Sequence, residues 1–199
     1  MGLTHAQITA AALDVLESDG LDKLSLRAVA ARLEVRVNSV AWHVKDKAGL
    51  LSAAADAVIA DCLPAHLPAD PDERVRLLLT SYRAALRSRR DGAGLAREGF
   101  SLAGPHQLAF VEAFNAALRA TGRSPKEAAW TAWTLIHFVL SLVDEEQMAP
   151  ELTHGAKVAA DPATFPCLAA AAEHLNADNY DDRFAYSVEL ILTGRSGKE

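Results

Sequence analysis

Arg27 and Lys47 bracket a stretch of twenty-one residues that also holds Val37, Asn38, Ser39, Ala41, Trp42 and His43. These side chains are suited to recognition, not to making or breaking bonds. The amide of Asn38 presents a donor and an acceptor in one plane and can pair bidentately with adenine, while the fork of Arg27 has the reach and geometry for guanine or a phosphate. Val37 or Ala41 can touch a thymine methyl, and Ser39 sets a small hydroxyl beside them. Lys47 stands where a helix should begin, so its ammonium and its backbone amide can hold one phosphate together. Trp42 and His43 are more than so short a segment can bury: either Trp42 is core and His43 solvated, or a duplex lying over them covers both. The surrounding order of capped helix, turn, polar helix start and lysines favours the duplex. The expected partner is double-stranded DNA.

To act together these side chains need two short helices held at a fixed angle. Ser25 caps the first, in which Leu26, Val29, Ala30 and Leu33 recur at i, i+3, i+4 and i+7. Glu34 to Arg36 break the pattern, and a second helix is expected from about Val37 to Val44, with Val40 and Val44 facing inward. That arrangement is a helix-turn-helix, whose second helix enters the major groove by its N-terminal end. An earlier helix, capped by Thr4 and ended by Gly20, supports the pair through Ile8, Ala12, Val15 and Leu16; another runs from near Asp46 to about Cys62. The formal charge of −6 argues against a protein that coats nucleic acid indiscriminately. Between Lys23 and Lys47, though, six basic residues face two acidic ones, Glu34 and Asp46, a local balance of +4. A basic island on an acidic chain fits a localised DNA contact.

The rest of the 199 residues also reads as helix, so the fold class is all-α. PAHLPADP, residues 64 to 71, is the clearest boundary. It separates a DNA-binding domain, residues 1–50 with a linking helix to about 63, from a helical domain over 64–199 for ligand binding and dimerisation. An amphipathic helix spans Asp72 to Arg89, and Ser124, Pro125 and Glu127 open another with a capping serine, a first-turn proline and a reciprocating glutamate. Ala128 to Val143 are sixteen residues without a formal charge. Their length of about 24 Å is short of a membrane span, so no membrane partner is expected. Pro150 to Pro166 reads as a loop, and Tyr180 to Leu192 as a last helix. The first fifteen residues lack a basic start and an unbroken apolar run, which places the protein in the cytoplasm. Cys62 and Cys167 have no CxxC spacing and read as ordinary half-buried thiols.

The run LSLRAVAARLEVRVNSVAWHVKDKAGLL, residues 24 to 51, closely resembles the DNA-binding domain of TetR-family transcriptional repressors. Two positions depart from that pattern: Glu34 where the family usually has glycine in the turn, and Ala41 where it commonly has an aromatic residue on a phosphate. SYRAALRSRRDGAGL, residues 81 to 95, and TLIHFVLSLVDEEQ, residues 134 to 147, resemble the tetracycline-responsive branch of the family. The resemblance implies a homodimer, with helices at about 125–147 and 180–194 packing on their mates. Phe184, Val188, Ile191 and Leu192 form a stripe that a monomer would leave partly exposed.

The resemblance also bears on the ligand. The family's magnesium-holding histidine falls at Ala96, a nearby threonine at Gly99, the drug-gripping asparagine at Leu78 and a junction histidine near Leu63. His137 and Glu145 are kept, and Tyr82 replaces a phenylalanine. The expected small-molecule inducer is therefore different, richer in apolar surface and bound without magnesium; no metal site and no cofactor are expected. Its pocket should be lined by Leu78, Tyr82, Phe100, Phe110, Phe114, Trp130, Trp133 and Phe138, with His137 and Glu145 as polar handles. Those two lie about 12 Å apart on one helix, too far to share an ion. His106, His154 and His174 have no partner at ligand spacing and read as surface residues. An all-helical domain with an apolar pocket also suits a carrier or an enzyme with a vestigial N-terminal module, and a regulator that has lost its ligand response is a third reading. No serine or cysteine stands with a base at a recognisable motif spacing, so no catalytic residue is assigned and the ligand-responsive repressor is favoured.

Overall fold

The computed structural model describes residues 2–101, 104–148, 159–175, 177 and 179–194, and among them every regular element is helical. The order is α1 (His5–Asp19), α2 (Leu26–Arg32), α3 (Val37–Val44), α4 (Lys47–Ile59), α5 (Pro71–Arg87), α6 (Gly92–Glu98), α7 (Pro105–Ala120), α8 (Pro125–Gln147), α9 (Pro166–Leu175) and α10 (Tyr180–Thr193). The all-α expectation holds. Most of the expected loop at 150–166 lies outside the described residues.

Local chemistry sets the helix ends. Thr4 and Gln7 close a reciprocal capping box on α1, and Gly20, at φ +85°, ends it. Ser25 accepts from the Ala28 amide to start α2. At the other end of α2, the Val35 amide reaches Ala30 O and the Glu34 amide reaches Ala31 O, a Schellman closure that puts Glu34 in the left-handed region at φ +54°. This is where glycine is favoured, because a Cβ there costs about 1–2 kcal/mol. A second tight reversal follows α3: Lys45 has φ +66° and ψ −64°, and the Asp46 amide returns to Val44 O, a γ-turn. It sets α4 so close behind α3 that a Cβ on Gly49 would stand 2.0 Å from Val44 O. Ser124 and Glu127 make the expected reciprocal cap at the start of α8.

Packing groups the chain into two compact units, Met1–Asp144 and Glu145–Glu199. In the first, α1, α2, α3 and α4 bury Ile8, Leu16, Leu24, Val29, Val40 and Leu50 completely. Each such side chain contributes about 1.5–3 kcal/mol. The proline-rich stretch lies inside this unit, because α4 packs on α1 and α3 and also on α5, α6 and α7. In the second unit Asn179 caps α10 through the Asp182 amide, and Arg183 grips Glu145 with two 2.8 Å hydrogen bonds. Of the stripe expected to be partly exposed on α10, Phe184 and Ile191 are half-buried, whereas Val188 and Leu192 are buried in the protomer, a correction for those two; Tyr186 and Leu190, one turn apart, are exposed apolar side chains. None of the described helices is long and apolar enough to cross a membrane.

Candidate DNA-reading head and ligand cavity

The head leaves the expected residues exposed or half-buried along α3 and its flanking helices. Asn38, Ser39 and Trp42 are exposed, Val37, Ala41 and His43 are half-buried, and Arg27 and Lys47 are exposed on the flanking helices. Val40 and Val44 point the other way, into the core. Trp42 is not a core residue. It is 81% exposed and meets His43 edge-on, with ring centroids 4.8 Å apart. The helices beneath are fixed to one another by Arg32, whose Nη2 donates to Asp14 O and Ser18 Oγ at 3.1 Å.

Behind the head lies a cavity of about 390 Å³, in the range of about 300–1,000 Å³ common for small-molecule sites. Ala55 and Ile59 of α4 form one wall, and Ala96, Arg97 and Phe100 come from α6 and the turn after it. Tyr82 of α5 stacks on Phe110 of α7 at 5.1 Å and 22° between planes, and Phe110 on Phe114 at 5.9 Å. Gln107, Val111 and Asn115 continue the α7 wall. The stripe Ala129, Ala132, Trp133, Ile136, His137 and Leu140 closes the cavity from α8. His137 Nδ1 donates to Trp133 O at 2.8 Å, which leaves Nε2 as the acceptor of the neutral ring. Burial pushes the Tyr82 phenol above its ordinary range, with Cys62 a smaller cause.

Of the ten residues expected at the ligand site, Tyr82, Phe100, Phe110, Trp133 and His137 line this cavity. The other five do not. Leu78 and Phe114 are wholly buried in the core, and Trp130, 65% exposed, lies under the Lys126 ammonium. Phe138 falls off the α8 stripe that faces the cavity, and Glu145 is held by Arg183, which keeps its carboxyl below the usual glutamate range. Arg97, Gln107 and Asn115 were missed because single polar residues carry no motif, and they lie on α6 and α7, helices for which the sequence reading gave no bounds. His106 is exposed as expected, and its Nδ1 sits 2.7 Å from Asp56 Oδ2, a partner fifty residues away in sequence. His174 is exposed as expected, and His154 lies outside the described residues. Cys62 is fully buried, with its thiol pushed up to about 12 by burial and by Asp61, and Cys167 is exposed, so neither is half-buried.

The two sites share α4. Asp56 Oδ1 accepts the His106 and Gln107 amides at 3.0 and 2.9 Å, capping α7 from another helix. Gly104, at the cap position itself, has no room for a Cβ, which would stand 2.3 Å from that carboxylate oxygen. A Cβ on Gly99 would meet Leu51 O at 2.4 Å and Ala55 Cβ at 2.6 Å, so α6 ends hard against α4. The end of α1 is tied to the α5–α6 turn by Arg90, which donates to Glu17 O and Ser18 O, and by Asp91, which accepts the Leu21 amide at 2.8 Å.

A reading head that shares a helix with the wall of an apolar cavity defines the class: a DNA-binding regulator that answers to a small molecule. Family comparison is consistent with both halves. Residues 8–54 match the model described as bacterial regulatory proteins of the tetR family, and residues 64–196 match the tetracyclin repressor-like C-terminal domain. The chain is 29% identical to the class G tetracycline repressor of Vibrio anguillarum over 96% of its own length and 93% of that protein's. With the class A repressor of transposon 1721 from Escherichia coli it shares 32% identity, over 92% and 86% of the two chains. Among solved structures, the Streptomyces coelicolor TetR-family protein ActR in complex with (S)-DNPA superposes with a TM-score of 0.87 at 28% identity, covering 98% of this chain and 97% of that one. The chain belongs to the TetR family and is a ligand-responsive, DNA-binding transcriptional repressor.

Proposed function

We propose that two copies of this chain form a dimer that lays α3 of each protomer in successive major grooves of a palindromic operator, with half-sites about 34–36 Å apart. Residues 1–63 act as the reading head, and the dimer is built from the helical remainder, where Tyr186 and Leu190 offer an unburied apolar face. An inducer of mainly apolar, aromatic character enters the cavity and favours a conformation in which the two heads no longer match the operator. Such a shift requires tighter binding to the DNA-incompetent state.

The observation that carries this reading is the sharing of α4: Ala55 and Ile59 line the cavity, and Leu50 of the same helix is core to the head. The donor set argues for induction without magnesium. Ala96 contributes a methyl where the family's metal-holding histidine falls, and the described lining contains one histidine and no carboxylate. These residues do not fit a magnesium-chelated drug. Gly99 could not take the family's threonine without displacing α4.

The test is release of the protein from operator DNA by a panel of polycyclic compounds, with EDTA present. Release by an aromatic compound in EDTA, with no response to tetracycline and magnesium, is the expected result. Release that requires magnesium would overturn the assignment of the inducer.

A further inference from the structure

We infer that the inducer is a planar aromatic carboxylic acid whose carboxylate is held by Arg97 on the cavity wall. This deepens the proposal above and rests on it.

Charge gives the first reason. Arg97 is the one Asp, Glu, Lys or Arg residue among those described as lining the cavity. Its Nη1 is 3.1 Å from Asp144 Oδ2, while its Nε and Nη2 donate to no described residue. Both partners of that ion pair are substantially exposed, so the bond is weak and open to competition. A guanidinium with donors to spare beside an apolar wall favours an anion, and a carboxylate matches its fork bidentately. A cationic metal chelate would meet repulsion at the same place.

The walls give the second reason. Tyr82 and Phe110, stacked on one another, and the Trp133–His137 pair put four rings on the cavity wall, which suits a planar aromatic guest. Tyr82, 5% exposed, makes no hydrogen bond to a described residue, although a buried tyrosine hydroxyl usually finds one. It is a second donor, kept neutral, for an oxygen on the ring system.

The experiment titrates the full-length protein with anthracene-2-carboxylate and with anthracene-2-carboxamide at neutral pH, following tryptophan fluorescence. The wild type is expected to bind the acid about tenfold or more tightly than the amide. Arg97→Gln should bring the two to within about twofold, with amide affinity unchanged. Asp144→Asn, which frees the guanidinium, should tighten the acid alone; loss of packing around Arg97 would move both probes the same way. Equal affinity of the wild type for the two probes, a preference that survives Arg97→Gln, or no binding of the acid would each overturn the assignment. Magnesium-dependent release by tetracycline is a separate readout and bears on the earlier proposal.

Discussion

Glu34 holds the left-handed position of the Schellman turn without the residue type that suits it. Its side chain is exposed, so the strain is not offset by burial. Glu34→Gly should stabilise the head by about 0.5–1 kcal/mol, the backbone relief outweighing the extra entropy of glycine in the unfolded chain. For a domain of this size that is a rise in Tm of about 1–4 °C, measured by circular dichroism. The departure from the family pattern was legible in the sequence; its cost required the φ angle. Trp42 was readable only as a choice between core and DNA contact, and its exposure decides for the surface. Trp42→Ala should leave Tm within about the range of surface substitutions, ±0.5 kcal/mol, while weakening operator binding. The cysteines needed the structure too, because neither has neighbours that announce burial. Under native conditions at mildly alkaline pH, iodoacetamide should label Cys167 and spare Cys62, whose thiol stays protonated until about pH 12 and is fully buried. Mass spectrometry of the labelled chain checks this.

Helix boundaries in the head were legible because each carries its own chemistry: Thr4 with Gln7, Ser25, Asp46, and the break at Glu34. The cavity was harder. Choosing aromatic residues along α8 selected Trp130 and Phe138, whereas the helical period admits Ala129, Ala132, Trp133, Ile136, His137 and Leu140 to one face. Register, not residue type, decides which side chains line it. Close contact between helices is invisible to such patterns altogether. Gly99 and Gly104 look like ordinary loop glycines, yet each marks a place where α4 leaves no space for a methyl. Gly99→Ala should destabilise the protein by about 1–3 kcal/mol, the cost of forcing an atom into a packed contact. Asp56→Ala should cost at least the usual loss of a helix cap, about 0.5–2 kcal/mol, since two amides and His106 lose their acceptor together. Urea denaturation of the two variants measures both effects.

At the scale of the whole molecule, an acidic chain carries a local balance of +4 between Lys23 and Lys47, the segment that includes Asn38 and Trp42, so operator affinity should fall steeply as salt rises. Stability has its own dependence on pH. The hydrogen bonds from Arg183 hold the Glu145 carboxyl below its usual range, so their contribution is present above the ordinary glutamate pKa and lost as pH falls through the lowered value. Both side chains are about half exposed, which limits the contribution to less than about 1 kcal/mol. The distribution of charge and the helical class were plain from the sequence; the sharing of α4 between head and cavity was not, because it depends on contacts between residues some fifty positions apart. The proposed role of α3 as the helix that reads DNA matters most. Fluorescence anisotropy with operator-bearing DNA from upstream of the coding region, at fixed salt, compares the wild type with Arg27→Ala combined with Asn38→Ala. Tight, sequence-specific binding by the wild type and a loss of about 2–6 kcal/mol in the double variant are predicted. Equal binding by the two proteins would contradict the assignment of α3 as the reading helix.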